Sequence, residues 1–240
     1  FAGGLIPALI FGVAFGNLLQ GVPFHLDRFL KPHYDATFLW ALIPLLNPFA
    51  LLAGLISVAM LATHGGLWLQ LRTEGETARR ARAAVSLLAP AVTVAFALAG
   101  VWLWLGIDGY RIVSEPAHGA LPNPLAKDVV RASGAWFDIY RTTPIAMALP
   151  ALGLVAPLLV WALSRADRPG LGFIVNSLGM TGIIGTAGVA MFPFVMPSSS
   201  NPGSSLTLWD AASSHLTLKI MFFATMIFLP IVLAYTLWCY

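Results

Sequence analysis

Ala83-Ala-Val-Ser-Leu-Leu-Ala-Pro-Ala-Val-Thr-Val-Ala-Phe-Ala-Leu-Ala-Gly-Val-Trp-Leu-Trp-Leu-Gly-Ile107 carries no charged side chain and no alternation of apolar with polar residues. As a helix it is long enough to cross a hydrocarbon layer about 30 Å thick, which takes about 20 residues. Five further charge-free runs, 1–26, 36–71, 142–164, 169–209 and 220–240, meet the same condition. The remaining composition agrees: of 240 residues 58% are apolar and only 10% charged, against about 25% charged in soluble domains. The expected fold class is therefore an all-α, polytopic transmembrane helical bundle with spans near 2–20, 45–71, 83–106, 143–164, 171–194 and 218–239. Continuous apolar runs exclude an outer-membrane barrel, whose strands would alternate. Lipid offers no partner to an open backbone. The excess of 13 basic over 10 acidic residues points to loop orientation, not to nucleic acid. A single cysteine, Cys239, excludes an internal disulfide and a cysteine-built metal cage.

Arg72, Arg79, Arg80 and Arg82 crowd the link after the second span, and Arg165 and Arg168 the link after the fourth. The two links fall on one side of a six-span count, so both are expected in the cytoplasm. The segments 21–44, 107–142 and 195–217 then face outward, and the C-terminus lies inside. The whole of 1–240 reads as one integral membrane domain. Within 107–142, Asn123-Pro-Leu-Ala-Lys-Asp-Val-Val-Arg131 predicts a short surface helix, with Asn123 as cap and Pro124 in the first turn. Trp136, Phe137 and Tyr140 are expected at headgroup depth. The chain opens on Phe1 inside an apolar run, with neither a basic flank nor a cleavage site, and is read as N-terminally truncated.

Gly4, Ala8, Gly12 and Gly16 recur every four residues and predict close helix contact in preference to a groove for a lipid or quinone tail. Gly179, Gly182, Gly185, Ala187 and Gly188 mark the fifth span in the same way. Asn17, Asn47, Asn176 and His64 are polar groups inside spans. Interhelical hydrogen bonding is favoured for the asparagines, because no carboxylate accompanies them. A lone His64 is weighed against haem ligation, which needs an axial His or Met, and the hydrogen-bonded reading is preferred. His118 and His215 stand without companions, and Lys219 is placed to snorkel from an outer helix end. Asp210 is expected to cap a helix start; the competing reading, a proton or water exit, lacks a second titrating partner. No catalytic, cofactor-binding or metal-binding residue is assigned.

Several longer strings carry a resemblance: Gly12-Val-Ala-Phe-Gly-Asn-Leu-Leu-Gln-Gly-Val-Pro-Phe24, Leu46-Asn-Pro-Phe-Ala-Leu-Leu-Ala-Gly54, Phe96-Ala-Leu-Ala-Gly-Val-Trp102 with Gly106-Ile-Asp-Gly-Tyr110, Ala187-Gly-Val-Ala-Met-Phe-Pro-Phe-Val-Met-Pro-Ser-Ser199, and Ser205-Leu-Thr-Leu-Trp-Asp-Ala-Ala-Ser-Ser-His-Leu-Thr-Leu218. In order and spacing they resemble subunit II of the bacterial cytochrome bd quinol oxidases, over essentially the whole chain. The resemblance implies two four-helix bundles and a peripheral ninth helix, with the present spans as the last six of nine. It further implies a haem-free subunit of a terminal oxidase in the bacterial inner membrane, coupling quinol oxidation to the reduction of dioxygen to water. The haems b and d would be carried by subunit I, which this chain would stabilise. The resemblance leaves open whether a small single-span subunit attaches and whether a structural quinone or lipid is bound. The proton-path aspartate of the family belongs to N-terminal helices and is carried over to no position here. Half of a secondary transporter is the alternative, weakened by the lack of intramembrane carboxylates and of interrupted helix pairs.

Overall fold

The structure, a computed structural model, describes residues 2–34, 38–114 and 123–239. Six helices are long and apolar enough to span a bilayer. In chain order the elements are α1 (Ala2–Gln20), the strands β1 (His25–Leu26) and β2 (Pro32–His33), α2 (Phe38–Leu45), α3 (Pro48–Arg72) and α4 (Gly75–Gly106). They continue with β3 (Asp108–Ser114), β4 (Asp128–Ser133), α5 (Asp138–Thr142), α6 (Ala148–Arg165) and α7 (Pro169–Met191), and close with β5 (Phe194–Met196), β6 (Leu206–Thr207), α8 (Leu208–Ala211) and α9 (His215–Cys239).

The helices α3, α4, α6 and α7 form a ring in which α3 meets α4, α4 meets α6, α6 meets α7 and α7 returns to α3, with α1 laid against α3. Links of a few residues force the pairs α3–α4 and α6–α7 to be antiparallel neighbours. In the ring's interior Leu67, Val85, Ala89 and Val160 are fully buried. Lipid is as apolar as these side chains, so close contact and not escape from water favours the packing. The small residues show where it is closest. A Cβ placed on Gly12 would lie 2.6 Å from the Cα of Gly54 and 2.7 Å from the Cβ of Ser57. One on Gly182 would lie 2.7 Å from the backbone nitrogen of Gly153. Each stripe has a gap: Gly4 on α1 and Gly188 on α7 have nothing within 4 Å. α9 stands apart, with no buried residue.

Two expectations change at the ends of the bundle. The basic link after α3 is only Thr73 and Glu74, and α4 begins at Gly75 and runs 32 residues. Arg79, Arg80 and Arg82 therefore ride on its first turns, where Glu76 pairs with Arg80 at 2.8 Å one turn on. The 107–142 segment, expected to hold a surface helix over 123–131, is instead an antiparallel hairpin of β3 and β4, with Tyr110 opposite Arg131. Asn123 does cap as expected, its Oδ1 accepting from the Leu125 N–H at 3.0 Å. It starts only a single 3-10 turn, Pro124–Ala126. The short α-helix of the segment lies further on, at α5.

Candidate functional site

Asn17, Asn47, Trp136, Tyr140 and Asp210 gather at one end of the bundle, where three outer segments fold over it as a cap. The 21–26 stretch is stitched to 197–204: the Val22 N–H donates to the Pro197 carbonyl at 2.9 Å and the Ser199 N–H to Val22 at 3.0 Å. The Leu26 N–H donates to Ser204 Oγ at 3.1 Å. Ser198, Ser204, Ser205 and Thr207 are all buried. The hairpin contributes the aromatic centre. Trp136, expected at headgroup depth, is 2% exposed because its indole Nε1 donates to the carbonyl of Leu19 at 2.9 Å. Tyr110 Oη donates to the Gln20 carbonyl at 3.3 Å. Two of the carbonyls that α1 leaves open at its C-terminus are thus satisfied by the cap. Burial pushes the Tyr110 phenol above its ordinary pKa, with the Arg131 charge opposing and Asp108 adding to the rise; the hydroxyl stays a donor at neutral pH.

Beneath the cap the asparagines join helices, as their placement predicts. Asn17 Nδ2 donates to the Leu45 carbonyl at 2.7 Å, Asn47 Nδ2 to Asn17 Oδ1 at 3.1 Å, and Gln20 Nε2 to Asn47 Oδ1 at 2.9 Å. The Asn47 Oδ1 also accepts from the Ala50 N–H at 2.9 Å and so caps α3. Beside this cluster, between α4, α6 and α7, lies a largely apolar cavity of about 660 Å³, lined by Phe96, Leu103 and Ala187 and roofed by Phe137, Tyr140 and Arg141. A smaller cavity of about 160 Å³ borders Gly12 and Gly16 together with Ala53 and Ser57 of α3.

Asp210 behaves as a cap and as something more. Its Oδ1 accepts from the Thr207 N–H at 2.7 Å at the start of α8. Its Oδ2 meets Lys127 Nζ at 2.5 Å, with the two side chains only 9% and 3% exposed, and the ammonium also donates to the Pro124 carbonyl at 2.8 Å. The expectation of a carboxylate without a charged partner is corrected. The two residues are 83 positions apart, and no local pattern marks them as a pair.

His64 sits at the opposite half of the bundle. Its Nδ1 lies 3.1 Å from Asn176 Nδ2, and the same Asn176 nitrogen lies 3.5 Å from Met180 Sδ. The imidazole packs against Phe173 with centroids 4.0 Å apart and planes tilted by 31°. A carboxamide fills the space between the imidazole and the thioether, which does not fit a haem held between them. Among the described residues no group of three or more His, Cys, Asp or Glu is arranged to hold a metal ion. His118 lies outside the described residues, and His215 and Lys219 are exposed on the first turns of α9. Among the described residues the arrangement fastens helices and lines an apolar cavity.

Comparison with known proteins fits this picture. A family described as cytochrome bd terminal oxidase subunit II matches residues 1–240. Over 240 residues the chain is 51% identical to cytochrome bd-I ubiquinol oxidase subunit 2 of Escherichia coli (strain K12), covering all of this chain and 62% of that protein. It is 50% identical to the probable cytochrome oxidase subunit 2 of Haemophilus influenzae, with the same coverage. It is 26% identical to cytochrome bd ubiquinol oxidase subunit 2 of Bacillus subtilis, covering 60% of it. The chain thus spans about three-fifths of the length of these curated relatives.

Proposed function

The chain belongs to the cytochrome bd terminal oxidase subunit II family, and from that membership we propose that it is a haem-free membrane subunit of a quinol:oxygen oxidoreductase. In the whole complex quinol is oxidised and dioxygen reduced to water, at haems b and d carried by subunit I. This chain serves as the helical body against which the haem-bearing subunit is held. The observation that carries the reading is the family match along all 240 residues, joined to a bundle whose polar groups are spent on helix-to-helix and helix-to-cap bonds. The transporter alternative finds no support among the relatives, which are oxidase subunits by name.

On this reading the chain is one membrane unit of the bacterial inner membrane, formed by the last six of nine spans. The arginine-rich end faces the cytoplasm, and so does the C-terminus. The 660 Å³ cavity is apolar enough to take a quinone or lipid tail. A small single-span subunit would add to the haem-bearing partner in the assembled complex. The test is a strain lacking the gene for the full-length subunit, complemented or not, from which the tagged haem-bearing partner is purified. Co-purification of the two chains, with b- and d-type bands in the reduced-minus-oxidised spectrum and quinol-dependent oxygen uptake only when this subunit is present, is the expected result. Full haem content and uptake in its absence would overturn the proposal.

A further inference from the structure

We propose that a groove at the cap end of α4 binds one phospholipid, whose phosphate sits on Arg131. The groove is a cavity of about 490 Å³, separate from the apolar one between α4, α6 and α7; the two have only Phe49 in common. It lies where three spanning helices begin or end, for Gln20 closes α1, Pro48 opens α3 and Gly106 closes α4, and all three line it. Spans leave the hydrocarbon at that level, so the groove sits at headgroup depth.

Among the described residues that line the groove, Arg131 carries the only charge. Its guanidinium carbon lies 5.8 Å from the centroid of the Tyr110 ring, a cation–π distance. Tyr110 is itself buried and tied by its hydroxyl to the Gln20 carbonyl, so the ring is a fixed seat for the cation. Arg79, Arg80, Arg82 and Arg111 each face a carboxylate; among the described residues Arg131 is in no ion pair. Asp108, which acts on the same phenol, does not line the groove. The carboxamides nearby are already engaged: Gln20 Nε2 donates to Asn47, Asn47 Nδ2 to Asn17, and Asn17 Nδ2 to the Leu45 carbonyl. The guanidinium thus holds the spare donors, in a planar fork that fits two oxygens of one phosphate.

The apolar half of the ligand has its own surface. From the groove toward the bilayer centre α4 presents Leu105, Trp102, Leu98 and Val94, which share one helix face by their spacing and are all exposed. Pro44 and Leu45 of α2 form part of the groove wall, and Ile43 and Leu46 next to them are exposed too. A phosphate held on Arg131 lays its acyl chains along these side chains, so a single molecule meets both the unpaired cation and the uncovered apolar stripe. Free phosphate would meet only the first. The inference rests on the spanning helices and their cap and does not depend on the oxidase reading.

The test washes the full-length, assembled membrane complex extensively in mild detergent and counts retained phospholipid by mass spectrometry of the intact complex. Arg131→Gln removes the charge from an exposed strand position, and this variant is expected to retain one phospholipid fewer than wild type. Equal retention in the two overturns the site. A second measurement leaves Arg131 in place and so holds even if that variant fails to assemble: p-benzoyl-phenylalanine is introduced at Ile43, the washed complex is irradiated, and the mass added to the labelled peptide is read. A phospholipid adduct is expected. A peptide adduct, a quinone adduct or detergent alone overturns the proposal, because each means that the groove beside α2 is filled by something else or by nothing that stays.

Discussion

Lys127 and Asp210 are the residues whose loss should cost most for their size. Removing one partner of a buried ion pair strands the other charge, at about 3–5 kcal/mol, whereas replacing both with apolar groups is often neutral. If Asp210 only capped α8, Asp210→Asn would assemble and turn over nearly normally. With the ammonium of Lys127 buried against it, Asp210→Asn is expected to lower the thermal unfolding temperature of the detergent-solubilised complex sharply. The double variant Lys127→Met with Asp210→Asn should recover most of the loss; a double variant as unstable as the single one would show that the pair is not the cause. His64 makes the opposite case. Its ring is engaged by Asn176 and Phe173, so His64→Ala should leave every visible haem band of the assembled oxidase in place, and loss of a b-type band from an intact complex would refute that. The asparagine bonds were legible in the sequence because an amide inside an apolar run must find a partner nearby. The ion pair was not, because Lys127 and Asp210 look like ordinary loop charges until chain segments 83 residues apart are brought together.

The α1–α3 contact is the element whose sequence signature can be tested position by position. Gly12 faces the α3 backbone, while Gly4, in the same four-residue register, faces nothing within 4 Å. Gly12→Leu is therefore expected to destabilise by about 1–3 kcal/mol or more through overpacking and to reduce the yield of assembled complex. Gly4→Leu should leave both unchanged, and equal effects of the two would mean that α1 is placed wrongly. All six spans were legible because charge-free runs of sufficient length have few other uses. The hairpin was missed for a physical reason: Asn123 and Pro124 are genuine helix-start signals, and they were honoured by one 3-10 turn. Val129 and Val130 then favour a strand, and the partner that lets them form one, Arg111–Ile112, lies across a segment the local pattern cannot bridge. The start of α4 was misjudged for a related reason. Four arginines look like a loop, yet Glu76 and Arg80 make a stabilising one-turn pair on a helix.

For the whole molecule the two ends differ in kind. One carries the cap; the other carries the links rich in arginine, where Arg82 of α4 meets Asp167 between α6 and α7, and where the guanidinium groups of Arg72 and Arg165 each lie 4.6 Å from a tryptophan ring centroid, on Trp68 and Trp161. Orientation can be read by thiol labelling once Cys239 is replaced by Ala. A cysteine at Thr73 should react only with reagent reaching the cytoplasmic face, and one at Ser213 only from the opposite face; the reverse pattern would invert the topology. The cap itself imposes an order on the making of the protein. Its pieces, 21–34, 108–114 with 123–142, and 194–211, leave the ribosome far apart in time, yet Leu19 waits for Trp136, Val22 for Pro197, and Lys127 for Asp210. A nascent chain that has inserted α1 through α6 therefore still has an unfinished lid, with a lysine lacking its counter-ion and a helix end only partly covered. Closure must wait until α7 has crossed and α8 has emerged, so a copy stalled before α8 is one whose lid is still ajar.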